Sequence, residues 1–147
     1  MPDRRTEDLG RVIFDLLRCA SALQMAGDGL MKPLGLTAAR WQILATAAHG
    51  EGLATVSDLA RQLSQARQSV QRVVDELATA GLIELRENPA HARARLVALT
   101  EAGRGVLARA ELARIGWTEG LAAQIGAVQV DQAAVMIGAL RKALGRA

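Results

Sequence analysis

The fold is decided by residues 55–100, which read TVSDLARQLSQARQSVQRVVDELATAGLIELRENPAHARARLVALT. The opening TVSD has the form of a capping box and predicts a short helix that ends at LSQ. A longer helix is predicted over residues 66–80, followed by strands over 82–85 and 95–99 with a turn at Asn88-Pro89 between them. A helix-turn-helix followed by a basic hairpin is suited to present side chains to both grooves of DNA.

The second of these helices is predicted to have one buried and one polar side. Its apolar residues fall in one arc of the helical wheel: Val70, Val73, Val74 and Leu77. Opposite or beside them are Gln65, Gln68, Ser69, Gln71 and Arg72. Solvated helices usually carry Glu and Lys, whereas these side chains can hydrogen-bond base edges or grip phosphate. We interpret the polar side as a base-contacting face, with an ordinary solvated face as the alternative. Asp75 and Glu76 are expected to lie further from the DNA.

The hairpin carries His91, Arg93 and Arg95 at its tip and shoulder. An ordinary solvated hairpin is the simpler explanation of these cations. Their place directly after the Gln- and Arg-rich helix favours a wing that binds the minor groove, spanning residues 83–99.

Helices are also predicted before this segment. The first begins near Thr6 and loosens where Gly27, Gly29 and Pro33 occur. The next has Thr37 as its N-cap. Its inner face is predicted to be formed by Trp41, Leu44, Ala45 and Ala48.

Two more helices follow, one with Thr100 as its N-cap and one over residues 128–144. The terminal helices carry more apolar surface than a small winged-helix core can bury, which predicts a homodimer. The chain is thus expected to be one mainly α unit with a small β-hairpin (α+β), residues 1–147. Residues 36–111 form its DNA-binding winged helix-turn-helix lobe, and residues 1–35 and 112–147 its dimerisation helices. A twofold dimer predicts a pseudo-palindromic duplex site.

Composition excludes several classes of protein. The chain has 147 residues, a net charge of +3 and a single cysteine, so an intrachain disulfide is impossible. No apolar run is long enough to cross a membrane and no signal peptide is recognisable, which predicts a cytoplasmic protein. The histidines, His49 and His91, lie far apart, and no metal-binding spacing, catalytic triad or phosphate loop can be assembled. We therefore expect no enzyme activity, catalytic residue, metal or cofactor.

The residues resemble the MarR family of bacterial transcription regulators over nearly the whole chain. The resemblance rests on LGLTAARWQIL, on VSDLARQLSQARQSVQRVVDELATAGLI and on RENPAHARARLVALTEAGR. It implies a winged helix-turn-helix homodimer, usually a repressor, often released from DNA by a small aromatic or phenolic ligand or by thiol oxidation.

The resemblance also assigns DNA contacts. It places Arg67, Gln68, Ser69, Gln71 and Arg72 on the recognition helix and makes Arg93 the minor-groove contact. The family commonly has an Asp two residues before that arginine, where it can orient the guanidinium. This chain has His91 at that position, so we expect either a less firmly held arginine or a wing contact that depends on pH. Ala66 stands where a Ser or Thr cap is frequent, which leaves Ser64 as the expected cap.

Effectors in the resembling family often bind between the dimer helices and the DNA-binding lobe, which here points to Arg18, Cys19 and Trp41. Core packing is the simpler explanation of Trp41, and a small buried residue that of Cys19. Thiol sensing through Cys19 is an alternative. It is disfavoured because the chain has no Tyr and because Cys19 lies several residues too far along the first helix. A winged helix that binds protein instead of DNA is a further alternative.

Overall fold

The structure is a computed structural model that describes residue 1 and residues 3–145. These residues form six α-helices and one antiparallel hairpin, which confirms the predicted mainly helical fold. The helices are α1 (Arg4–Met31), α2 (Ala38–His49), α3 (Val56–Leu63), α4 (Arg67–Thr79), α5 (Glu101–Ala122) and α6 (Ala127–Leu144), and the strands are β1 (Ile83–Arg86) and β2 (Leu96–Leu99). Pro2, Arg146 and Ala147, which the predicted ranges 1–35 and 112–147 include, lie outside the described residues.

By its internal contacts the chain divides into two units, Met1–Glu111 and Leu112–Ala147. The first unit contains the hydrophobic core, to which α2, α3, α4 and the hairpin contribute most residues. The largest fully buried side chains are Met31, Ile43, Leu44, Leu59, Leu77, Val70, Val74 and Val97. All four apolar residues predicted for the inner side of α4 are buried, which confirms that part of the sequence analysis.

Helix α1 does not loosen at its glycines, so that part of the prediction is wrong. It continues as regular helix through Gly27 and Gly29 to Met31 and ends before Pro33, which lies in a short 3-10 helix, Lys32–Leu34. A Cβ on Gly27 would lie 2.9 Å from the Cβ of Ala38, so this glycine permits α1 to approach α2 closely. The Asp28 carboxylate accepts a hydrogen bond from the Ala38 amide at 2.8 Å, which joins the end of α1 to the start of α2.

The inner face predicted for α2 is right for Leu44 and wrong for Ala48. The buried residues of the helix are Ala38, Ile43, Leu44 and Ala47. Ala48 is exposed, while Trp41 and Ala45 are half-buried. Because alanine is compatible with either side of this Ala-rich helix, its spacing identified the inner face poorly.

Helix α3 begins with the predicted capping box: the Thr55 hydroxyl accepts from the Asp58 amide and the Asp58 carboxylate accepts from the Thr55 amide. Helix α3 is followed by its C-cap Ser64, whose φ of 52° is left-handed. Ser64 therefore forms the turn between α3 and α4, and its predicted role as the cap of α4 is wrong. Ala66 occupies the N-cap of α4, which has no side-chain cap.

The hairpin pairs Ile83 with Leu99 and Arg86 with Leu96, one residue later in β1 than predicted. A third segment joins it. The Val97 amide donates to the Ala54 carbonyl at 2.8 Å, and Thr55 forms a bridge with Leu96. The backbone just before α3 is therefore attached to the base of the wing.

The start of α5 is attached to the turn that follows α4. The Thr100 hydroxyl donates to the Gly81 carbonyl at 2.7 Å, and the Thr100 amide donates to the Leu82 carbonyl at 3.1 Å. Thr100 also accepts from the Gly103 amide at 3.0 Å, which confirms it as the cap of α5. A Cβ on Gly103 would lie 1.9 Å from the Leu82 oxygen, so this contact requires glycine.

The second unit comprises the rest of α5 and helix α6. The described part of α6 has no buried residue. Its exposed large apolar side chains are Val128, Val130, Val135, Met136, Ile137 and Leu144.

Candidate nucleic-acid interface

The outer side of α4 carries the predicted base-contacting residues. Gln65, Arg67, Gln68, Ser69 and Arg72 are exposed, and Gln71 is half-buried. Since the N-cap residue Ala66 offers no side-chain acceptor, the first amides of the helix are available to an external acceptor such as a phosphate.

Asn88, which the sequence analysis treated only as a turn residue, organises the tip of the wing. Its side chain accepts from the Ala90 amide at 3.0 Å and donates to the Ala94 carbonyl at 2.8 Å. These bonds fold the tip so that His91 and Arg93 are exposed. Within the part of the chain that the structure describes, the Arg93 guanidinium has no hydrogen bond or ion pair. Its role in binding DNA stays a prediction.

Arg95 has a partner within the wing. Its guanidinium donates to the Leu85 carbonyl at 2.8 Å, across the hairpin from its own position. Arg95 is nevertheless exposed, so its remaining donors can reach an acceptor outside the protein. In the first strand, Arg86 forms an ion pair with Glu84.

The structure brings residues of α4 and of the hairpin together around one open cavity of about 140 Å³. Arg67 and Gln71 of α4 line one side, and Arg93 and Arg95 of the wing line the other. The start of α3, residues 55–57, completes the lining. Three arginines thus share one concave surface with the positive end of a helix, an arrangement suited to a polyanion.

The start of α3 also holds a carboxylate. Hydrogen bonds from the Thr55 backbone and side chain lower the pKa of Asp58. Arg61 contributes a weaker effect in the same direction and forms an ion pair with Asp58. Asp58 therefore acts as part of the capping box.

Two acids on α4 contact predicted DNA-binding residues. Gln71 donates to the Asp75 carboxylate at 2.9 Å, and Arg72 donates to the Glu76 carboxylate at 2.6 Å. Arg40 of α2 donates to the other oxygen of Glu76 at 3.1 and 3.2 Å. The spacing of four residues on a helix permits the first two contacts, but the contact with Arg40 spans 36 residues and had no local signal.

The predicted effector residues occupy different environments. Arg18 and Cys19 are exposed on α1, so the interpretation of Cys19 as a buried residue is wrong for this chain by itself. Trp41 packs against the core, and its indole N–H donates to Glu111 at 3.0 Å. The 140 Å³ cavity is lined by none of the three. Their role in binding an effector stays a prediction.

None of the helices among the described residues is both long enough and apolar enough to span a membrane. No group of three or more His, Cys, Asp or Glu side chains among them is placed to hold a metal ion.

Comparison with known proteins identifies the family. The MarR family profile matches residues 34–94. An uncharacterized protein from Mycobacterium tuberculosis is 39% identical over 102 residues, which covers 69% of this chain and 70% of the relative. Sco5413, a MarR family transcriptional regulator from Streptomyces coelicolor, is 28% identical with a TM-score of 0.81, and the match covers 95% of this chain and 96% of that one. The chain belongs to the MarR family.

Two other proteins that are similar to this MarR-family chain have a stated activity or a DNA-bound structure. The transcriptional activatory protein BadR from Rhodopseudomonas palustris is 31% identical over 109 residues, covering 71% of this chain and 61% of BadR. The M. tuberculosis regulator MosR, whose structure was solved in complex with DNA, is 26% identical with a TM-score of 0.74, and the match covers 90% of this chain and 96% of MosR. The chain is a transcription regulator of the MarR family, which agrees with the expectation that it is not an enzyme.

Proposed function

We propose that this MarR-family regulator binds a pseudo-palindromic duplex DNA site as a homodimer and represses transcription in the cytoplasm. Helix α4 enters the major groove, and the wing over residues 83–99 enters the minor groove. Arg67, Gln68, Ser69, Gln71 and Arg72 are the proposed base and phosphate contacts of the helix, with Gln65 and Ser64 beside them. His91, Arg93 and Arg95 are the proposed contacts of the wing.

The observation that carries this proposal is the shared cavity between α4 and the wing. Arg67 stands at the start of α4, whereas Arg93 and Arg95 stand at the far end of the hairpin, yet the three line one concave surface. Cations on both sides of this surface can neutralise a phosphate backbone that passes between α4 and the wing. The complex of MosR with DNA supports the same activity in a related fold.

Exposed apolar side chains support the proposed dimer. On α1 they include Phe14, which is 72% exposed, and Leu17, which is 63% exposed. The residues of α6 described above add a second apolar surface. A monomer rarely leaves so many large apolar side chains in water, because their burial against a second copy is favourable. Light scattering should therefore give the mass of a dimer for the wild type, and Phe14→Glu should shift it toward the monomer.

Selection of duplexes from a random pool, followed by fluorescence anisotropy, tests DNA binding. Gln68→Ala and Arg72→Ala are each expected to weaken binding to the selected duplex by about 1–3 kcal/mol. Arg109→Ala, an exposed arginine on α5, is the control and should bind like the wild type. Wild-type affinity in both α4 variants would overturn the assignment of the recognition helix. Failure of the wild type to bind any duplex at low salt would favour a protein-binding winged helix instead.

Activation is a second candidate for the regulatory outcome, because the relative BadR is an activatory protein. Both outcomes use the same DNA-binding surface and differ in where the site lies relative to the promoter. Transcription in vitro from a promoter that contains the selected site distinguishes them by whether transcript decreases or increases.

Release by a small aromatic or phenolic ligand completes the proposal, with Arg18, Cys19 and Trp41 as its candidate contacts. A thermal-shift screen of phenols and aromatic carboxylates, repeated with Trp41→Phe, tests it. The exposure of Cys19 favours one alternative, release by thiol oxidation. Peroxide treatment of the wild type and of Cys19→Ser, each bound to DNA, decides between the two modes of release.

A further inference from the structure

Glu76 connects two arginines from different helices. One carboxylate oxygen accepts from Arg72 Nη1 at 2.6 Å. The other accepts from both Nε and Nη2 of Arg40, at 3.2 and 3.1 Å. Each oxygen of Glu76 therefore has its own arginine.

This arrangement fixes Glu76 more firmly than it fixes Arg72. The side chains of Arg40 and Glu76 are 32% and 34% exposed, whereas that of Arg72 is 69% exposed. Arg40 lies in the first turn of α2, where the Thr37 hydroxyl accepts its backbone amide. Glu76 is consequently held against α2, and Arg72 reaches over one turn of α4 to meet it.

The contact occupies only part of the Arg72 guanidinium. Arg72 uses Nη1 to bind Glu76, and its Nε and Nη2 donors have no partner within the described residues. A guanidinium has five N–H donors, so this arginine keeps donors for a base edge while a carboxylate offsets its charge. Attraction to phosphate depends on that charge, whereas recognition of guanine depends on the fork of donors.

We propose that Glu76, anchored by Arg40, is a specificity-determining residue that holds Arg72 in place and suppresses its attraction to DNA phosphates. The inference rests on the proposed DNA-binding function. Glu76 acts through Arg72 as a positioning residue and contacts no DNA itself. Its effect is to reduce affinity for random sequence more than affinity for the preferred site.

Glu76→Gln tests the proposal because glutamine keeps the size and the acceptor oxygen but removes the charge. The dissociation constant is measured by anisotropy over a salt series, on the selected duplex and on a random duplex of equal length. On the random duplex we expect about threefold tighter binding, the size of one exposed ion pair. The slope of log K against log salt should steepen by about 0.9, the value for one additional phosphate contact. The selected duplex should gain less, so that the ratio of the two affinities falls.

Two companion variants separate this effect from a general change in charge. Glu101→Gln makes the same charge change at an exposed glutamate in the first turn of α5 and controls for the loss of one negative charge. Arg72→Met removes the proposed target. In the Arg72→Met background, Glu76→Gln should alter random-duplex binding no more than Glu101→Gln does.

Equal gains on both duplexes, or the same gain with and without Arg72, would overturn the proposal. A wild type that binds no duplex would refute the DNA-binding function and the inference with it. A wild type that binds selectively while Glu76→Gln keeps its selectivity would refute the inference alone. Circular dichroism of each variant verifies that the helical content is intact, and Glu76→Ala provides a second test if the glutamine variant misfolds.

Discussion

Substitution of Gly103 by alanine tests the contact between the start of α5 and the turn that joins α4 to β1. An added Cβ would lie 1.9 Å from the Leu82 carbonyl oxygen, and this obstacle is backbone that cannot rotate away. The start of α5 must therefore move. The displacement strains the hydrogen bonds from Thr100 to the Gly81 and Leu82 carbonyls.

The expected cost follows from three contributions. Overpacking costs about 1–3 kcal/mol, and each strained hydrogen bond is worth about 1 kcal/mol. The higher helix propensity of alanine offsets about 1 kcal/mol of this loss of stability. Because these contributions overlap, we expect Gly103→Ala to lower the free energy of unfolding by about 2 kcal/mol.

Gly105→Ala is the matched control for this measurement. It makes the same substitution two residues later in α5, where an added Cβ meets no atom within 4 Å. This variant should gain up to about 1 kcal/mol of stability from helix propensity alone. Urea unfolding followed by far-UV circular dichroism, at one protein concentration, measures both variants. A Gly103→Ala variant as stable as Gly105→Ala would refute the steric argument.

Three further variants test other parts of the structure. Ala66→Ser supplies the missing N-cap of α4 and should stabilise the protein by about 1 kcal/mol in urea unfolding; no gain would mean that the first turn is already satisfied. The pKa of Asp58 is lowered in the folded state, so its contribution is complete above the unfolded-state pKa and is lost as the pH falls through the folded value. The difference in melting temperature between the wild type and Asp58→Asn should accordingly shrink on acidification below about pH 4, and a constant difference would contradict this linkage. Arg93→Ala should weaken binding to every duplex and reduce the salt slope by about one; an unchanged slope would remove Arg93 from the DNA contacts.

Local signals accounted for the features that were predicted correctly. The capping box of Thr55 and Asp58 lies within four residues, so the sequence alone contains the whole motif. The apolar arc of α4 was equally clear, because its Val and Leu residues recur every three or four positions, with polar residues between them. Thr100 could be recognised as a cap since it directly precedes a helix.

Longer-range contacts account for the errors. Gly27 was taken as a weak point of α1, but the opposing Ala38 explains why a glycine is placed there. Ser64 has the side chain of a cap, yet the left-handed turn between α3 and α4 determines its conformation. The link between Glu76 and Arg40 was not predicted, because it depends on how α2 packs on α4. None of these contacts has a signature in the neighbouring sequence.

The attachment of residues 54–55 to the wing has a consequence for protein engineering. Strand β2 has a hydrogen-bonded neighbour on each side, β1 on one and Ala54 and Thr55 on the other. Its register is therefore fixed at the base of the hairpin, and the paired part ends at Arg86 and Leu96. The nine residues between those two positions can be exchanged for loops of another length or charge while the base keeps its pairing. The wing tip is thus a suitable site for grafting, at which the proposed contact with DNA can be redesigned without rebuilding the domain.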